Sequence, residues 1–137
     1  MTKIDVIENK ISAARKYLSI LDGFLKYSRE ELEGRVEIKG AVERYMYLAM
    51  QSVIDLAEAF GSFKKFRKPT TMSESFYILE EEKVIPLELV VKLASMVGFR
   101  NIRAHDYERV DYDIVYDALH NRLTDLESFI QLIEKGI

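Results

Sequence analysis

Apolar residues recur at every third or fourth position along nearly the whole chain, and that spacing restricts it to helices packed on one another. Ile4, Ile7, Ile11, Ala14, Leu18, Leu21 and Leu25 form one such stripe, and Gly34 marks the break after it. A second helix is predicted from about Val36 to Phe60, with Ala41, Tyr45, Leu48, Ser52 and Leu56 in line. Val42, Ala49, Val53 and Ala57 widen that stripe, so this helix should be central. Gly61 is expected to close it in the left-handed conformation, with Pro69 marking the connector that follows.

Thr71 or Ser73 would cap a short third helix reaching Leu79, and Pro86 suits the first turn of a fourth. That fourth helix carries Leu89, Val90, Leu93, Ala94 and Val97. Asp111 reads as the N-cap of a last helix bearing Ile114, Val115, Leu119, Leu123, Leu126, Ile130 and Ile133. No alternating segment is bounded by hairpin turns. The expectation is an all-α, up-and-down bundle of about five helices, forming a single domain over residues 1–137.

Composition narrows the function. With 48% apolar and 31% charged residues in 137, the chain can bury a core and has no disordered character. It has no cysteine, and its two histidines lie fifteen positions apart, so neither a metal nor another cofactor is expected. The amphipathic N-terminus has no apolar signal core, and no run is long enough to span a bilayer, which predicts a cytoplasmic protein without membrane attachment. A net charge of −3 exerts no global pull on nucleic acid, so any such binding must come from a local patch.

Polar chemistry is densest from Gly98 to Tyr107, where Arg100, Asn101, Arg103, His105 and Tyr107 sit between the fourth helix and the cap of the last. A solvated helix terminus would account for it, since basic side chains there also suit the helix dipole. A functional cluster is the alternative. Asn101 and His105 would share a face if the helix continues, and Arg100, Arg103 and Tyr107 form a neighbouring stripe. Arg100 and His105 are separated by about 140° on an ideal helix. They converge only if the helix loosens or a second copy completes the groove.

Arg100-x4-His105, followed by Tyr107, resembles the R-x4-H-x-Y element of the HepT-like toxins in the HEPN superfamily. The likeness extends to Glu43-Arg44, Gln51 and Ile54-Asp55 in the second helix. It also takes in Pro69, Thr71-Met72, Phe76, Leu79 and Val84-Ile85-Pro86 in the middle segment, then Val110-Asp111. It runs in register from about Val36 to the C-terminus, while the first helix is similar only in type.

The resemblance implies a homodimeric HEPN fold that cleaves RNA without metal, by attack of a 2′-hydroxyl on the adjacent phosphate. His105 would act as general acid and base, Arg100 as phosphate clamp and Asn101 as an orienting hydrogen-bond donor. It further implies a partner nucleotidyltransferase antitoxin of the MntA kind, which attaches AMP to Tyr107. The bland role of that tyrosine is a half-buried phenol packed between helices. Two rival readings remain: a non-catalytic, substrate- or nucleotide-binding subunit of a nucleotidyltransferase, and a structural dimer stitched together by the polar motif.

Elsewhere, Lys64, Lys65, Arg67 and Lys68 are interleaved with Phe63 and Phe66. Lys64 and Lys65, together with Arg103, are candidate RNA contacts, whereas the phenylalanines are expected to anchor the connector. His120 reads as a surface or boundary residue, Glu80 to Lys83 as a solvated helix end, and Tyr45 and Tyr47 as packing residues. Gly98 would either permit close backbone approach or loosen the helix before the motif.

Overall fold

The computed structural model describes residues 2–101 and 110–137. The first helix, α1 (Lys3–Asp22), starts at a reciprocal cap: Thr2 accepts from the Asp5 amide while the Asp5 carboxylate accepts from the Thr2 amide. Ile7, Ile11, Ala14 and Leu21 turn inward, but the helix stops before Leu25, which stays exposed, as does Ile4. A second reciprocal cap, between Ser28 and Glu31, begins a short α2 (Arg29–Gly34) that buries only Leu32.

The central helix is α3 (Val36–Phe63), and α1 packs along it more extensively than any other pair of elements. Its buried face combines Val42, Met46, Ala49, Met50, Val53, Leu56, Ala57 and Phe60. Gly61 does not end it. The helix runs on to Phe63, because Phe63 and Phe66 both pack on the Phe60 ring, at 6.4 Å between centroids in each case. The left-handed residue is Lys65 (φ 62°), with the Phe66 amide donating to the Gly61 carbonyl and the Lys65 amide to that of Ser62.

Thr71 caps α4 (Met72–Glu81) by accepting from the Glu74 amide. The same left-handed closure follows, this time on Lys83. Pro86 stands one position ahead of α5 (Leu87–Met96) as its N-cap. Val97 belongs not to α5 but to a tighter 3₁₀ turn, Val97–Asn101.

Asp111 caps the last helical run as expected, accepting from the Asp113 amide. That run is interrupted: α6 (Tyr112–Asp117) passes through a π turn (Ala118–Arg122) into α7 (Leu123–Lys135). The first turn of α6 directs Tyr112 and Val115 inward, so Ile114, expected in the core, is exposed. At the core centre Phe76 of α4 meets Phe129 of α7 edge to face at 5.6 Å.

With α6 and α7 taken as one rod, the described residues form six helices and no strand, against about five expected. The extra one is α2. No helix among them is long and apolar enough to cross a membrane.

Candidate functional site

The 3₁₀ turn brings Arg100 against the middle of α3. Its Nε donates to Gln51 Oε1 at 2.8 Å, one Nη donates to Asn101 Oδ1 at 2.9 Å, and the guanidinium carbon lies 5.9 Å from the centre of the Tyr47 ring. Gln51 is itself oriented. Its amide nitrogen donates to Asp55 Oδ1 at 2.9 Å, and Asp55 Oδ2 stands 3.6 Å from Lys10 Nζ on α1. Tyr47, Gln51 and Asp55 are successive i, i+4 positions, so one stripe of α3 carries these three supports.

The site is a polar chain from Lys10 through Asp55 and Gln51 to Arg100. A guanidinium has five N–H donors. Two are engaged here, and the other three have no partner among the described residues. Because Gln51 and Asn101 offer neutral amide oxygens, the positive charge of Arg100 is held in place without an ion partner among the described residues. Asn101 meets Arg100 as an acceptor, through its side-chain oxygen, which leaves its own amide hydrogens for other partners.

Arg103, His105 and Tyr107 lie outside the described residues. On the far side of that segment, Val110 packs against the core and Tyr112 is fully buried, with its hydroxyl donating to a Glu43 carboxylate oxygen. Lys39 Nζ completes the group, 2.8 Å from Glu43 and 5.2 Å from the centre of the Tyr112 ring. Burial, then the hydrogen bond to Glu43, then the Glu43 and Glu33 charges hold the Tyr112 phenol far above its ordinary pKa. Thus α3 fixes both flanks of the motif segment, through Gln51 on one side and Glu43 on the other.

The candidate RNA contacts Lys64 and Lys65 are not gathered here. They sit thirteen and fourteen positions beyond Gln51, about 20 Å along the axis of α3. Lys64 Nζ lies over the Phe60 and Phe63 rings at 5.7 and 5.4 Å. Arg67 is bound by two carboxylates, Glu74 at 3.0 Å and Glu81 at 3.1 Å. The cleft of about 320 Å³ at that end, lined by Ala57, Phe66, Pro69, Ser75 and Leu79 among others, is therefore remote from Arg100.

His120 is exposed, stacked on Tyr116 at 4.2 Å. No Cβ added at Gly98 would meet another atom of the described residues within 4 Å, so that glycine serves no close approach among them. Among the described residues no three histidine, aspartate or glutamate side chains could share a metal ion.

In the sequence alone Gln51 and Asp55 have no assigned role, and Tyr47 reads as a packing residue. The available signal is a run of polar or aromatic residues four apart through the middle of the central helix.

A helical domain whose longest helix holds in place the arginine of an R-x4-H-x-Y element, borne on a 3₁₀ turn, defines an HEPN-type protein. The chain belongs to the ribonuclease HepT-like family, whose sequence pattern matches residues 14–133. It is 26% identical over 130 residues to the mRNA nuclease HepT of Shewanella oneidensis, covering 95% of this chain and 97% of that one. It is 27% identical over 135 residues to the tRNA nuclease HepT of Aphanizomenon flos-aquae, covering 97% and 92% respectively. Among solved structures it is similar to a tri-AMPylated Shewanella oneidensis HEPN toxin in complex with an MNT antitoxin. That match has a TM-score of 0.86 and 26% identity, over 98% of this chain and 99% of that one.

Proposed function

We propose that this chain is a HepT-type toxin, a homodimeric, metal-independent endoribonuclease restrained by a nucleotidyltransferase antitoxin of the MntA kind that attaches AMP to Tyr107. The observation that carries the reading is Arg100, the first residue of the family element, held on α3 by neutral partners with three donors unused among the described residues. A guanidinium so presented suits a phosphodiester, whose oxygens accept a forked pair of N–H groups and whose charge grows in the transition state.

In the reaction the 2′-hydroxyl attacks the adjacent phosphorus while the bond to the 5′-oxygen breaks. The products are a 2′,3′-cyclic phosphate and a free 5′-hydroxyl. His105 takes the 2′ proton, and the second copy's histidine returns one to the 5′-oxygen. This division of labour is why one chain does not suffice. Leu87 and Val91 on α5 and Ile114 on α6 are large, exposed and apolar, which gives such a dimer a surface to bury. AMP on Tyr107, two positions from His105, would add negative charge and bulk where the phosphate must enter.

Purified protein incubated with cellular RNA and a chelator should cut it, leaving cyclic phosphate ends. His105→Ala should lower the rate by roughly 10²- to 10⁴-fold with the helical circular dichroism unchanged. Wild-type rates in that variant would remove the nuclease assignment, and binding of nucleotide without any cleavage would instead fit an accessory subunit. Co-expression with the antitoxin should add AMP masses that Tyr107→Phe prevents.

A further inference from the structure

Resting on that reading, we infer that Gln51 is a positioning residue for catalysis, locked by Asp55 and Lys10 so that it turns the Arg100 guanidinium and leaves the three Nη donors not taken by Asn101 for the scissile phosphate. An arginine on a short 3₁₀ turn has several side-chain rotamers to choose among, and each would aim the fork elsewhere. The Gln51 oxygen accepts from Nε at 2.8 Å and thereby fixes the plane of the group.

A glutamine amide can flip end for end, and only one orientation offers oxygen to Arg100. The bond from its nitrogen to Asp55 Oδ1, 2.9 Å, selects that orientation. Asp55 is drawn the same way by Lys10 at 3.6 Å. From α1 across α3 to the turn the order is thus set: the Lys10 cation, Asp55 as acceptor, Gln51 as donor to Asp55 and acceptor from Arg100, and Arg100 as donor. Placing the carboxylate at Asp55, one helical turn from Gln51, also keeps the negative charge off the guanidinium. An acid at position 51 would align Arg100 equally well but neutralise it.

This separates geometry from charge in a measurable way. Gln51→Leu removes the acceptor, and a misaligned clamp should lower kcat by roughly 30- to 100-fold with KM changed less than about threefold. The double substitution Gln51→Glu, Asp55→Asn exchanges donor and acceptor between the two positions. It keeps an oxygen on Nε and the same total charge. It should restore slow Nε–H exchange and recover part of the kcat lost in Gln51→Leu while raising KM, because the clamp is aligned again but the negative charge now sits on Arg100. A merely structural glutamine predicts parallel losses in melting temperature, and no such split.

The Arg100 Nε–H resonance supplies a reading free of activity. It should exchange slowly with solvent in the wild type and roughly tenfold faster in Gln51→Leu. Wild-type kcat in Gln51→Leu, with Arg100→Ala inactive, overturns the positioning role and spares the nuclease. If the wild type cuts no RNA, the nuclease reading falls. The exchange measurement then decides alone: a fast-exchanging Nε–H in the wild type overturns the lock, and a slow one released by Gln51→Leu upholds it.

Discussion

Two arginines on opposite stretches of the same helical scaffold show how a cation held by neutral partners differs from one held by carboxylates. Arg100 leans on the middle of α3 against two amide oxygens and a tyrosine ring. Arg67, just beyond the end of α3, is held by Glu74 and Glu81, with three hydrogen bonds between 3.0 and 3.2 Å. Both are fixed in orientation. Among the described residues only Arg67 of the two has carboxylate partners, and its work is to tie the connector down onto α4. Residue type and local basic density would have favoured the connector, which has four cations in five positions. The chemistry of the partners favours the other site.

The most demanding test of this contrast is the same substitution at both places. Lysine keeps the charge but has neither an Nε–H nor a planar fork. Arg100→Lys should therefore lower RNA cleavage by roughly 10²- to 10³-fold, the range seen when one transition-state donor is lost. Arg67→Lys should leave cleavage within about twofold. Its effect should be confined to the connector, seen as faster trypsin cutting after Lys64 and Lys65. Equal losses of activity at both positions would abolish the distinction.

A further test is less severe. Tyr112 and Glu43 anchor the far flank of the motif segment to α3, and a buried phenol donating to a carboxylate contributes about 1.5–3 kcal/mol. Tyr112→Phe should lower stability in that range in chemical denaturation. Its pH dependence is distinctive. The folded phenol has a raised pKa, so its contribution is complete below the unfolded value of about 10 and is lost as pH rises beyond it. Wild-type stability should accordingly fall more steeply above pH 10 than that of Tyr112→Phe, and parallel alkaline curves would discount the buried hydrogen bond.

What was legible in the sequence follows from how each feature is encoded. The stripe of α3 is written in its own residues, so the central helix and most of its core could be read directly. α2 could not, because six residues burying only Leu32 leave no period to detect. Its Ser28-x-x-Glu31 cap was the one available sign. Gly61 was a reasonable stop on local grounds, but the packing of Phe63 and Phe66 on Phe60 extends the helix past it. The site divides in the same way. Arg100 stands in a contiguous motif, whereas its contact with Gln51 joins positions 49 apart and belongs to the fold.

The smallest effect concerns the connector lysine that was a candidate RNA contact. Lys65 adopts φ 62° to close α3, a conformation that costs a non-glycine residue about 1 kcal/mol. Lys83 closes α4 with the same φ and the same pair of backbone hydrogen bonds, and so serves as an internal control. Lys65→Gly and Lys83→Gly should each raise stability by about 0.5–1 kcal/mol, read as a higher denaturation midpoint. If Lys65 is there only to turn the chain, both variants should keep the wild-type KM for RNA to within about twofold, because neither loses a phosphate contact. A KM raised in Lys65→Gly alone, with a salt dependence shallower by one charge, would move the connector into the RNA path and make the two arginine neighbourhoods parts of one surface.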